Sequence, residues 1–416
     1  MKKLLYSVLI LIIAMFLLSG FSGCKKLSVS NLSANKHLRE ANKLYAQEKF
    51  RKASEEYEIA LEKNPKLDVA YLYVGTCYSM LYKPGKETER NLEYSEKAVK
   101  YLQMAEEAYP EDDNVVIALG SIFDKIGNFE EAEKYFLKIL EKSSDSPKSY
   151  YTLANFYSQN GKFEKANEMY EKRIELDPTD PSGYHYFAVY LQNYRAWDKA
   201  IDAHNKRIVT MMDPTILDSY KDIDKIKADI KRVEDLNKYI RNVDGNKAIP
   251  ADQKKELLAE KREELKNFPT LTEAVDLIAE KELSLKSLVE EAETKLVDLS
   301  DEKKLEFAEA YYSLGVVAWN KSYQTPVDDD IFPKEERKKA IDTGFAALEK
   351  AITLSPEYPN PYSYMGLLWR EMIKIDPSQS AEFVKKNNEY NKKFKDIYVK
   401  KRKREEYLKE LEELEK

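Results

Sequence analysis

The chain has 416 residues, 68 basic against 74 acidic side chains, 12 glycines and two cysteines, and this inventory excludes several function classes. Beyond residue 23 no two glycines lie closer than Gly120 and Gly127, so a GxGxxG loop, a P-loop and a GxSxG elbow have no place to form. Three histidines and two cysteines are too few for the usual zinc or Cys/His catalytic sites, so neither an enzyme nor a cofactor is expected.

The amino terminus reads as an address. Lys2 and Lys3 precede an apolar run from Leu4 to Leu18, then small residues lead to Cys24. A charged start, an apolar stretch of 15 residues and a small-residue cleavage site describe an export signal over 1–23, the apolar stretch being short of the roughly 20 residues a spanning helix needs. The box Phe21-Ser22-Gly23-Cys24 resembles a bacterial lipoprotein signal, with phenylalanine where leucine is usual. The resemblance implies lipid on Cys24, a linker over 24–33, and a membrane-anchored, periplasm-facing protein. Lys25, rather than aspartate, then points to the outer membrane. Loss of Lys2 and Lys3 would take the net charge from −6 to −8, which argues against nucleic acid as a partner. Cys77 would remain alone and reads as a small buried side chain.

From residue 34 onwards a period of 34 residues organises the chain. Ala98, Ala132, Ala166 and Ala200 keep it, as do Phe129, Phe163 and Trp197. Leu119, Leu153 and Phe187 form a third register, and Phe123, Tyr157 and Leu191 a fourth. In 147–180, Tyr150, Leu153, Ala154 and Tyr157 mark a first helix, Gly161 a turn, Ala166 and Tyr170 a second helix, and Pro178 its end. Small residues at fixed spacing let paired helices approach, while large ones fill the space beside them. The pattern resembles the tetratricopeptide repeat (TPR) family, which implies an all-α fold: a TPR-type α-solenoid, a right-handed superhelix of helical hairpins. Five units fill 34–214. The second holds an 11-residue insertion near Pro84-Gly85, because Ala53 to Ala98 spans 45 residues. Arg173 and Arg207 occupy slots where alanine is usual, so looser packing is expected there.

Residues 215–307 lack the repeat. Ile216, Ile223, Ile226, Ile230, Val233 and Ile240 make a heptad-like stripe, and a second stripe runs from Leu271 to Leu299. This is expected to be an inserted, coiled-coil-like long-helix hairpin that packs on the solenoid or forms a homo-oligomer seam. Two degenerate units follow over 308–378, marked by Tyr311, Leu314, Gly315 and Ala318, then by Tyr362, Met365, Gly366 and Trp369. The charged helix 379–416 caps the last unit through Phe383, Tyr390, Phe394 and Ile397; its cluster Lys400–Arg404 reads as a solvated end. Asp328-Asp329-Asp330 lacks the spacing of a calcium loop and reads as an exposed insertion.

By resemblance, fixed positions of each first helix line a concave groove that docks a partner peptide or helix. Here these are Leu38, Asn42 and Tyr45; Leu72; Lys148, Tyr151, Asn155 and Gln159; His185, Gln192 and Asn193; and Tyr312 and Trp319. Aromatic rings between amides suit a peptide, since rings offer apolar area and amides satisfy its backbone. The carboxylate clamp of chaperone-binding relatives is absent, because Tyr151, Ser182 and Tyr186 replace its cations. The expected role is a lipid-anchored scaffold for other cell-envelope proteins. Self-association through 216–299, or binding of a small ligand or glycan, are the alternatives.

Overall fold

A computed structural model describes residues 29–414, apart from 247 and 329. The expected signal 1–23 and the lipid site Cys24 lie outside the described residues. Among those described, every regular element is helical, and none is long and apolar enough to cross a membrane. Two compact units divide at Arg173/Ile174.

The first unit contains α1 (Val29–Ala46), α2 (Phe50–Lys63), α3 (Val69–Leu81), α4 (Glu89–Ala108), α5 (Asp113–Lys125), α6 (Phe129–Lys142), α7 (Pro147–Gln159) and the start of α8 (Phe163–Leu176). Helices pair as hairpins, α1 with α2, α3 with α4 and α5 with α6, and each hairpin packs on the next. The periodic alanines mark these contacts: Ala98, Ala132 and Ala166 are completely buried. Where first and second helices come closest the side chain shrinks further. A Cβ at Gly75 would sit 2.7 Å from Leu102 Cγ, so glycine is what lets α3 and α4 touch.

Two boundaries differ from the sequence reading. Helix α1 begins at Val29, inside the expected linker 24–33. In the second hairpin the extra residues are shared between the loop after Leu81 and α4, which has 20 residues against 14 in α2. Asn91 secures that loop: its buried side chain accepts from Lys83 N and donates to the carbonyls of Lys83 and Lys86, at 2.7–2.9 Å. A buried amide with these partners is satisfied where an unpaired one would be costly.

The second unit contains α9 (Pro181–Asn193) and α10 (Trp197–Met212), an insertion of α11 (Leu217–Gly245), α12 (Ala251–Leu265) and α13 (Leu271–Thr294), then α14 (Asp301–Gln324), α15 (Lys334–Leu354), α16 (Asn360–Glu371) and α17 (Ser380–Leu414). Helix α14 packs directly on α10, so the repeat resumes where it left off. Ile208 shares a buried cluster with Phe307, Ala308, Tyr311 and Leu314. Although the non-repeat stretch was expected to run to 307, α14 starts at Asp301, and its first two turns already belong to the resumed stack. Helix α17, expected as a separate cap over 379–416, is the pairing partner of α16. Phe383 is buried there, and Tyr390, Phe394 and Ile397 are half-buried.

The insertion is three helices. Both α12 and α13 pack on α11, with Ile223, Val233 and Leu236 buried and Ile226, Ile230 and Ile240 half-buried. From Ile223 onwards the stripe is thus covered in part by the insertion's own helices. At its base Ile216, Leu217 and Ala292 pack with Tyr184 and Val209 of the repeat. Helix α13 starts at a capping box: Glu273 N donates to Thr270 Oγ1 and Thr270 N donates to Glu273 Oε2, which ends the break at Phe268-Pro269.

Two recurring devices hold the hairpins in register. Tyr71, Tyr184 and Tyr362 each donate from the phenol to the carbonyl six residues earlier, at Pro65, Pro178 and Pro356, each at 3.1 Å. The proline ends one helix and its carbonyl fixes the next. The turn between paired helices needs a left-handed residue: Gly127 has φ +81° and Gly161 +68°, and Arg195 takes +57° at the same register. Helix α14 ends without such a glycine. Arg337, 2% exposed, donates instead to the carbonyls of Ser322, Thr325 and Pro326 and lies 4.7 Å above the Phe332 ring.

Candidate functional site: first-helix faces and a cavity beside the insertion

In the first unit, α1 carries Leu38, Asn42 and Tyr45, α3 carries Leu72, and α7 carries Lys148, Tyr151, Asn155 and Gln159. Asn42, Lys148 and Gln159 are exposed and the other five are half-buried. Some of this surface is already engaged. Tyr57 donates to Asn42 Oδ1 at 2.7 Å, and Tyr45 meets Phe50 and Tyr73 edge-on at 5.7 and 5.5 Å. Tyr151 meets the edge of Tyr170 at 6.4 Å. The rings on this face are therefore fixed by one another, and the freely exposed groups are mainly polar.

In the second unit, α9 carries His185, Gln192 and Asn193, and α14 carries Tyr312 and Trp319. Asn193 is exposed and the other four are half-buried. Tyr312 sits edge-on to Tyr358 and Tyr364, each at 5.5 Å. Trp319 stacks on Tyr323 at 4.7 Å, and that tyrosine is 57% exposed. Tyr323, absent from the sequence-based set, thus presents the open face of this cluster. Its signal was the spacing of one helical turn from Trp319.

Behind α9 lies a polar group that the repeat pattern did not announce. Gln192 Nε2 donates to His204 Nε2 at 3.1 Å, and Arg207 donates to His185 Nδ1 at 3.2 Å. Burial, with help from Arg207 and His185, pulls the fully buried His204 down to about 3, so its ring is neutral. With Nε2 accepting, the proton sits on Nδ1, which is buried with no hydrogen-bond partner among the described residues. His185 is lowered by burial and then by Arg207, so its neutral ring accepts the Arg207 hydrogen bond at Nδ1 and carries its proton on Nε2.

A cavity of about 610 Å³ opens beside this group. The starts of α9 and α14, the end of α10 and the turn after α13 form its walls. Met211, Met212, Leu296 and Phe307 supply apolar surface, while Arg207, Lys303, Glu306 and Glu309 supply charge. The arginine that was expected to loosen packing at an alanine slot lines this space instead. Glu309 was missed by the sequence reading; its signal was the spacing of about one helical turn before Tyr312 on α14. Among the described residues no group of three or more His, Cys, Asp or Glu side chains could hold a metal ion. Asp328 and Asp330 are exposed, and residue 329 lies outside the described residues. Cys77 is buried, which raises its thiol to about 12 and leaves it unreactive.

Comparison with known proteins agrees with the repeat. A tetratricopeptide repeat family model matches residues 91–147, and the model described as anaphase-promoting complex, cyclosome, subunit 3 matches 125–206. No curated protein matches the chain. Among solved structures, MamA is 18% identical over 43% of this chain and 91% of its own, with a TM-score of 0.33. YrrB, described as a TPR protein with an unusual peptide-binding site, is 19% identical over 42% of this chain and 86% of its own, with a TM-score of 0.31. PilF of Pseudomonas aeruginosa is 14% identical over 47% and 88%, with a TM-score of 0.33. From its periodic alanines, its paired helices and the matching family models, the chain carries tetratricopeptide repeats.

Proposed function

We propose that the protein is a non-enzymatic docking scaffold whose first-helix faces bind a peptide or helix of another cell-envelope protein. One observation carries this reading: exposed amides such as Asn42, Gln159 and Asn193 recur on first helices, and rings on first helices are held by their own contacts. Rigid rings offer apolar area at little entropic cost, and amides can satisfy a strand or helix end laid across them. The export signal and Cys24 support placing the scaffold on a membrane, with the lipid confining the docking face to its surface. Lys25 supports the outer membrane. Burial of Ile223, Val233 and Leu236 within the insertion leaves less of the 216–240 stripe for a second copy.

The test is photo-crosslinking in intact cells from a reactive amino acid at Tyr151, with exposed Lys134 on a second helix as control. Capture of one envelope protein from position 151 alone supports the scaffold. Equal capture from both positions, or capture of a second copy, contradicts it. Labelled palmitate should enter wild type and not Cys24→Ser; equal incorporation would remove the anchor.

A further inference from the structure

The cavity beside the insertion holds two charges of opposite sign that do not meet. Arg207, half-buried on α10, donates to the neutral His185 and, among the described residues, has no carboxylate within the 4.0 Å of an ion pair. Glu309, at the rim on α14, is close enough to favour the charged arginine but does not contact it. The other charges of the lining are already engaged. Lys303 pairs with Glu306 at 2.7 Å, and Lys295 lies 4.0 Å from Glu291. Asp213 accepts from Thr215 N and Oγ1 at 2.9 and 2.7 Å. Burial without a counter-ion depresses Arg207 below the ordinary guanidinium value, so an entering carboxylate would relieve an existing cost. Between the two charges the walls are Met211, Met212, Leu296 and Phe307, and thioethers adapt to varied apolar shapes. A volume of about 610 Å³ exceeds what a water or a simple ion needs.

We propose that this cavity binds a zwitterion with an apolar middle, a short apolar peptide or amino acid with both ends free, its carboxylate on Arg207 and its ammonium on Glu309. A guanidinium suits the planar carboxylate, and a rim carboxylate suits an ammonium that keeps part of its hydration. The site differs from a peptide-docking face in needing two free termini, and it stands whether or not that face docks a partner.

Calorimetric titration of the full chain with the dipeptide Leu-Leu tests it, beside N-acetyl-Leu-Leu and Leu-Leu-amide. Leu-Leu should bind, and capping either end should weaken binding at least about tenfold, the worth of one charge-assisted contact. Arg207→Gln and Glu309→Gln should each weaken Leu-Leu to a similar degree. Glu309 is exposed, so Glu309→Gln keeps the fold and decides the matter even if Arg207→Gln unfolds. No binding of Leu-Leu at about 1 mM, the weak end of useful affinity, overturns the proposal. Equal binding of the capped dipeptides, or an unchanged affinity in Glu309→Gln, overturns it as well.

Discussion

Lys321 on α14 donates to Asp198 on α10 at 2.5 Å, across 123 residues of sequence. The bond spans the three inserted helices and joins two helices that neighbour each other in the repeat. Magnitudes decide what holds them. Asp198 keeps 82% of its side chain exposed, so the ion pair contributes at most about 1 kcal/mol. Phe307, buried in the same junction, covers Ile208 and its neighbours. Phe307→Ala should therefore cost about 3–5 kcal/mol, and Asp198→Asn under about 1, by urea unfolding. Similar costs for both would place the junction's stability in charge.

The close pair α14–α15 makes a second prediction. A Cβ at Gly315 would lie 2.6 Å from Leu348 Cγ, and Leu348 is fully buried. Gly315→Ala should destabilise by about 1–2 kcal/mol, overpacking exceeding the helix propensity gained. Leu348→Val in the same chain should recover part of the loss. Additive costs would show that the two residues do not touch.

Acid sensitivity follows from His204. Its folded value, about 3, lies below the ordinary 6.5, so between these pH values the unfolded chain binds more protons than the folded one. Stability is fully present above 6.5 and falls as pH drops, by up to about 1.4 kcal/mol per pH unit for this group. His204→Phe should flatten the decline between pH 6.5 and 4 in urea titrations. An unchanged slope would assign the acid response to other groups.

Arg195 should be improvable. It holds φ +57° where Gly127 and Gly161 stand at the same register. A left-handed non-glycine residue costs about 1 kcal/mol, partly offset by the extra freedom glycine gains on unfolding. Arg195→Gly should raise stability by up to about 1 kcal/mol in thermal melts, and a loss would reveal a contact of the arginine that matters more.

The repeat was legible because Ala98, Ala132, Ala166 and Ala200 each serve one contact, and a contact that must recur imposes its spacing on the sequence. Where a residue serves a single place, no period announces it. Arg337 reads as a surface charge, yet its guanidinium caps three carbonyls in the interior. The first turns of α14 read as insertion because Asp301 to Glu306 are mostly polar, while their neighbour Phe307 fills the junction. The groove positions were placed on the correct helices, but position alone could not show that Tyr45, Tyr312 and Trp319 already contact other rings. Arg207 stood out as a departure from alanine; only its geometry against His185 and the cavity gave that departure a chemical meaning.

Replacing residues 217–298 with a short turn tests the direct packing of α10 on α14. Unfolding in urea, followed by helical circular dichroism, should show one cooperative transition from 174 onwards. Some stability will be lost, since Tyr184 and Val209 lose the cover of Leu217 and Ala292. Loss of helical signal beyond that of the deleted residues, with α14 to α17 unfolded, would contradict a repeat that closes across its insertion.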